Sequence, residues 1–163
     1  MKTLNPAALI MAVIIYASVT GCEKEMNKPA PPPSRPIPAH TTDEVKNSNW
    51  FFIHWVYTGW PGVMQYTRYV PELNSDLLTR GKVLVFGKGE LDIKGPKALP
   101  ASFDGAFIGV KAEVGNLKFV LEGSNAASVS PQFKYILIPV SKLAHNLDYT
   151  DYHAVCVYYK IPE

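Results

Sequence analysis

Little in this chain favours the commoner functional classes. It holds only two cysteines, Cys22 and Cys156. That is too few for a disulfide framework, so the fold must be held by its core. Charge of one sign is also lacking: 16 Lys and Arg face 14 Asp and Glu, a net +2 with no basic block, which excludes an electrostatic nucleic-acid partner. The four histidines, His40, His54, His145 and His153, are scattered. None stands at zinc-type spacing to Cys156 or to carboxylates, so no metal is expected. Ser124, Ser128 and Ser130 belong to no GxSxG or SxxK motif. The glycine-rich stretch 87–95 (GKGELDIKG) lacks the GxxxxGK[ST] order that cradles phosphate, and no acidic repeat makes a calcium loop. No catalytic residue and no cofactor is therefore assigned. Cys156, between Val155 and Val157, reads as a small buried apolar residue.

Long hydrophobic runs are missing too. The apolar stretch from Ala7 to Val19 (AALIMAVIIYASV) is shorter than the roughly 20 residues that span a bilayer. With Lys2 ahead of it, it has the build of a signal-peptide h-region. Val19-Thr20-Gly21-Cys22 follows and resembles the bacterial lipobox. The resemblance implies cleavage after Gly21, a diacylglyceryl group on the Cys22 thiol and acylation (palmitate) of the new amino terminus. A lipid-anchored protein of the cell envelope is expected, periplasmic or surface-exposed. Glu23 stands where an inner-membrane retention signal commonly has Asp, which points to the outer membrane. The membrane is thus one partner, reached through the anchor.

Residues 1–21 are assigned to the signal peptide and 22–46 to a disordered tether, in which KPAPPPSRPIP (28–38) forms neither helix nor ladder. Residues 47–163 are expected to form one domain. Its opening, WFFIHWVYTGW (50–60), reads as a strand rich in aromatic and β-branched residues. A hairpin through Thr58 to Gly62 leads to a strand from Val63 to Val70. Glu72 to Arg80 suggests a short helix, with Gly81 suited to a left-handed stop. Lys82 to Phe86 is a strand, and the stretch after it is a long connection with a ragged edge strand. Phe107 to Val114 and Leu117 to Leu121 form a hairpin turning at Gly115-Asn116. Phe133 to Val140 is the last strand. Asp151 to Tyr159 fits a helix capped by Asp148 or Thr150, with Tyr152, Val155, Cys156 and Tyr159 on one face; strand alternation competes. The class expected is mainly β: an antiparallel sandwich or open barrel with one or two short helices.

Several stretches, in order, resemble a family of uncharacterised Bacteroidetes lipoproteins with a small β-rich domain. They are Trp50 and Trp55, Tyr69-Val70-Pro71-Glu72-Leu73, Leu77-Leu78, Gly81 to Phe86, Ala98-Leu99-Pro100, Lys134 to Pro139, Asp151-Tyr152 and Ile161-Pro162. The resemblance implies a sandwich-like fold outside the cytoplasm and brings no activity with it. From the residues themselves, only the aromatics suggest a ligand. Trp60, in the turn, is the first candidate, followed by Trp55, Tyr57 and Tyr66, whose flat faces can stack on a glycan or on an envelope protein. The expected function is a non-catalytic binding or accessory module. The alternative is an envelope enzyme with a site assembled from distant residues, which a concave pocket with convergent polar groups would favour.

Overall fold

The computed structural model describes residues 43–89, 95–124 and 130–163. Gly21, Cys22, His40 and the proline-rich stretch lie outside these residues. The strands are β1 (Lys46–Asn47), β2 (Phe51–Phe52), β3 (Val56–Tyr57), β4 (Val63–Tyr69), β5 (Lys82–Lys88), β6 (Lys97–Ala98), β7 (Ala101–Phe103), β8 (Ala106–Glu113), β9 (Asn116–Glu122) and β10 (Gln132–Ile138). The helices are α1 (Ser75–Arg80) and α2 (Tyr152–Tyr159), with a 3-10 turn at Val140–Lys142. The fold is a β-sandwich of two antiparallel sheets with short helices, and neither sheet closes into a barrel.

An inner sheet runs β1-β10-β5-β6, with β2 beside β1 along the same edge of β10, and an outer sheet runs β3-β4-β9-β8-β7. β1 and β2 are two halves of one interrupted edge strand, set against Leu137 and Ile136 and then against Phe133 and Gln132. Ser48 bridges the gap: its N–H donates to Tyr135 O, and its Oγ accepts from Tyr135 N, each at 3.0 Å. The inner sheet thus takes in Lys46, inside the stretch assigned to the tether. The aromatic opening is not the single strand expected. After Phe52 the chain leaves the inner sheet, buries Ile53 between the sheets and joins the outer sheet at Val56.

Alternation decides what each sheet buries. Val85, Phe133 and Leu137 face the outer sheet and meet Phe103, Ile108, Leu117, Phe119 and Leu121 in the sandwich interior. Phe86, Ile136 and Ile138 point the other way and are covered by Tyr152, Val155 and Cys156 of α2. Each such side chain, fully buried, contributes about 1.5–3 kcal/mol. Two buried faces explain why KVLVF and FKYILI are nearly unbroken apolar runs, whereas β4 and β9 alternate.

Four local details differ from expectation. Gly81 is extended, at φ −87°, rather than left-handed, and it is glycine because a Cβ there would meet Ile138 O at 2.6 Å. The β8–β9 turn sits at Val114-Gly115, one residue early, where Gly115 N–H donates to Leu73 O at 2.7 Å and Gly115 O accepts from Val70 N at 2.8 Å. α2 is a helix, but Asp151 caps it, accepting from Ala154 N at 3.0 Å. Asp148 instead holds Thr150 through its backbone N–H and hydroxyl, which keeps the Asp148 carboxyl below the usual carboxylate range. Finally, β7 was not foreseen, although Asp104-Gly105, both at positive φ, is a strong hairpin signal.

Candidate functional site

The fold divides the opening aromatics between inside and outside. Trp55 meets Phe133 edge-on, with centroids 6.2 Å apart, and Tyr66 lies 6.4 Å from Phe119, so both belong to the sandwich interior. Both are partly buried, with a ring face packed against the core. Tyr57 and Trp60, by contrast, are 59% and 73% exposed. They share the β3–β4 hairpin, where the Thr58 hydroxyl donates to Val63 O at 3.0 Å and Val63 N–H donates to Trp60 O at 3.1 Å. Gly62, at φ 71°, lets the turn close, since a Cβ there would meet Gly123 O at 2.9 Å. The indole is thus held out on a backbone that is already fixed. Tyr69 is equally exposed but stands at the other end of β4, about 20 Å away at strand rise, so it does not join this patch.

A second concave region opens on the far face of the inner sheet, where the start of α2 and the C-terminal residues pass over β5 and β10. Its volume is about 630 Å³, and Trp50, Lys88, Pro96, Asp151, His153 and Glu163 are among its lining residues. The Lys88 ammonium lies 4.6 Å from the Trp50 ring centroid, a favourable placement over an indole face. His153 Nδ1 and Glu163 Oε1 are 2.5 Å apart. Beneath the cleft, Lys134 is 3% exposed. Its ammonium donates to Pro162 O and, at 3.3 Å, to the Tyr152 hydroxyl. Burial pulls the Lys134 pKa down and outweighs the nearby Cys156 and Glu163, while Lys88 adds to the fall. Burial also pushes up the Tyr152 phenol and the Cys156 thiol. Cys156 is covered, as expected of a small apolar residue, and offers no accessible nucleophile.

Smaller concavities of about 340–410 Å³ lie beside Leu84 and Tyr149, over Phe107 and Val120, and beside Phe52 and Gln132. On the exposed face of the outer sheet, Glu113 accepts from Lys118 at 2.6 Å and from Lys111 at 3.0 Å, and these two bonds hold its carboxyl below the ordinary range. A pocket near Glu44, Glu72 and Asp76 has about 30 Å³, room for water alone. Among the described residues no three of His, Cys, Asp and Glu converge as metal ligands, and His54 and His145 are exposed singly.

The cleft was missed from sequence because Trp50, Lys88, Lys134 and Tyr152 are far apart along the chain. The one available signal was a lysine inside the apolar run FKYILI, where a buried charge needs partners. Comparison with family models, with curated proteins and with solved structures finds no match to this chain.

Proposed function

We propose that this protein is a non-catalytic binding module of the cell envelope, lipid-anchored through Cys22 in the outer membrane, which presents the β3–β4 hairpin to glycans. The observation that carries the binding reading is the exposure of Trp60 and Tyr57 on one rigid hairpin while their aromatic neighbours fill the core. Exposed aromatic faces stack on sugar rings. The lipobox-like Val19-Thr20-Gly21-Cys22 supports the anchor, because each buried methylene contributes about 0.8 kcal/mol and two or three chains hold a protein on a membrane. The cleft behind Trp50 is concave, yet its acids are engaged: Asp151 caps α2 and Glu163 faces His153.

Two substitutions test the two halves. Cys22→Ala is expected to abolish palmitate labelling and release the protein from the membrane fraction; unchanged labelling would refute the anchor. Trp60→Ala is expected to lower retention on a glycan array with the melting temperature nearly unchanged. Equal retention would remove glycans as the hairpin's ligand and leave an envelope protein as its partner.

A further inference from the structure

Among the described residues, the cleft between the inner sheet and the start of α2 holds one uncommitted charge. Asp151 is occupied with the Ala154 amide and Glu163 with His153. Lys134 spends its ammonium on Tyr152 and Pro162. Lys88 differs. Among the described residues its ammonium makes neither ion pair nor hydrogen bond, only its contact with the Trp50 face. A partly buried ammonium without an acceptor is costly to hold beside a second one. Lys88 and Lys134 lie on the same face of adjacent strands, since Lys88 stands opposite Gln132 and Lys134 opposite Phe86. Both ammonium groups come within 6 Å of the Trp50 ring, at 4.6 and 5.9 Å.

We propose that this cleft binds a singly charged, hydroxyl-rich ring: a uronic-acid-type saccharide whose carboxylate pairs with Lys88 beside Trp50. Three features select that chemistry. Lys88, the one cation without an acceptor among the cleft's described lining residues, calls for a negative charge, and the carboxylates of Asp151 and Glu163 in the same cleft repel a polyanion such as a nucleotide. Those carboxylates keep unused lone pairs, which accept ring hydroxyls as readily as amides. The volume of about 630 Å³ also exceeds what a bare anion would fill, and lies within the range of small-ligand sites. The N-terminus of α2 is not the anion's seat, because Asp151 already caps it.

This site stands apart from the hairpin, and the two succeed or fail separately. The full-length chain is titrated with methyl glucuronide, methyl glucoside and acetate, followed by indole fluorescence and saturation-transfer NMR. The glucuronide is expected to bind at least about tenfold more tightly than either the neutral ring or the bare anion. Lys88→Gln is expected to weaken it by about tenfold or more, while Lys88→Arg, which keeps the charge, stays within about threefold. Trp60→Ala leaves it unchanged. Circular dichroism of both Lys88 variants guards against misfolding. Failure of the glucuronide to bind, glucoside binding of equal strength, or undiminished binding by Lys88→Gln would each overturn the proposal. Loss of glucuronide binding in Trp60→Ala would move the ligand to the hairpin and overturn it too.

Discussion

The two sheets are built from the same kinds of residue but solve different problems. The outer sheet buries one face: along β9, Leu117, Phe119 and Leu121 go inward while Lys118 and Glu122 stay in water. The inner sheet buries both, so Val85 and Phe86 in β5, and Ile136, Leu137 and Ile138 in β10, are all covered. A sheet with one wet face needs a single partner layer, whereas one with two apolar faces needs a third layer, which α2 and the C-terminal residues provide. The price of that third layer is polar. The sandwich interior is mostly phenylalanine and aliphatics, with Trp55, Tyr66 and Tyr135 packed against them and the Arg68 guanidinium over Phe51, whereas Lys134 of the inner sheet meets Tyr152 and Cys156 of α2, and beside them opens the cleft. Both candidate sites therefore arise where the two-layer plan gives way: at the hairpin that overhangs the outer sheet, and at the seam of the added layer.

This contrast can be broken by measurement. The largest effect belongs to the sandwich interior: Phe119→Ala, at a position with no exposure, is expected to lower unfolding free energy by about 3–5 kcal/mol. A loss below about 1 kcal/mol in urea denaturation would mean that the two sheets do not share a rigid core. Next comes the titratable layer. Burial lifts Cys156 above its ordinary 9.0 and Tyr152 above its ordinary 10.0, so above about pH 9 the folded chain keeps protons that the unfolded chain has released. Stability must then fall with rising pH, by at most about 1.4 kcal/mol per unit for each such proton. Lys134, held below its ordinary 10.5, works oppositely, because there the unfolded chain binds the additional proton. Cys156 titrates first, so Cys156→Ala is expected to flatten the decline between pH 8 and 9.5; identical slopes in variant and wild type would place the thiol in water. The smallest effect is on the wet face of the outer sheet, where Gln65→Ala should stay within about 0.5 kcal/mol. A larger loss would show that something covers this face.

Much of the fold was legible because periodicity reports burial. The five long strands and the hairpin before Val63 follow from local pattern, whereas over 151–159 helical and strand-like spacing compete and the structure decides for the helix. What escaped depends on contacts across the sequence. The run from Trp50 to Trp60 looks like one strand because all its residues favour strands, but nothing local says that Phe52 pairs with Gln132 and Val56 with Gln65. Gly81 looks like a helix stop because it follows a helix; its real constraint is Ile138, far along the chain. Alternation puts Trp55 and Tyr57 on the same side of the supposed strand, yet one packs on the core and the other is exposed, because that stretch changes sheets midway. Lys134 shows the same limit: its neighbours in sequence are apolar, and the groups that tolerate its charge come 18 and 28 residues later.

The interrupted edge strand also has a mechanical meaning. Tension entering the domain from its N-terminal side meets the Ser141–Asp43 hydrogen bond and packed Val45, then β1, which holds to β10 through two residue pairs and the Ser48 bridge. The seven-residue β5–β10 ladder, covered on both faces, lies one strand further in. A pull too weak to unfold the domain would peel the first few residues and stop there. Under such a pull β1 is expected to detach as a short slack before the cleft or the hairpin changes shape.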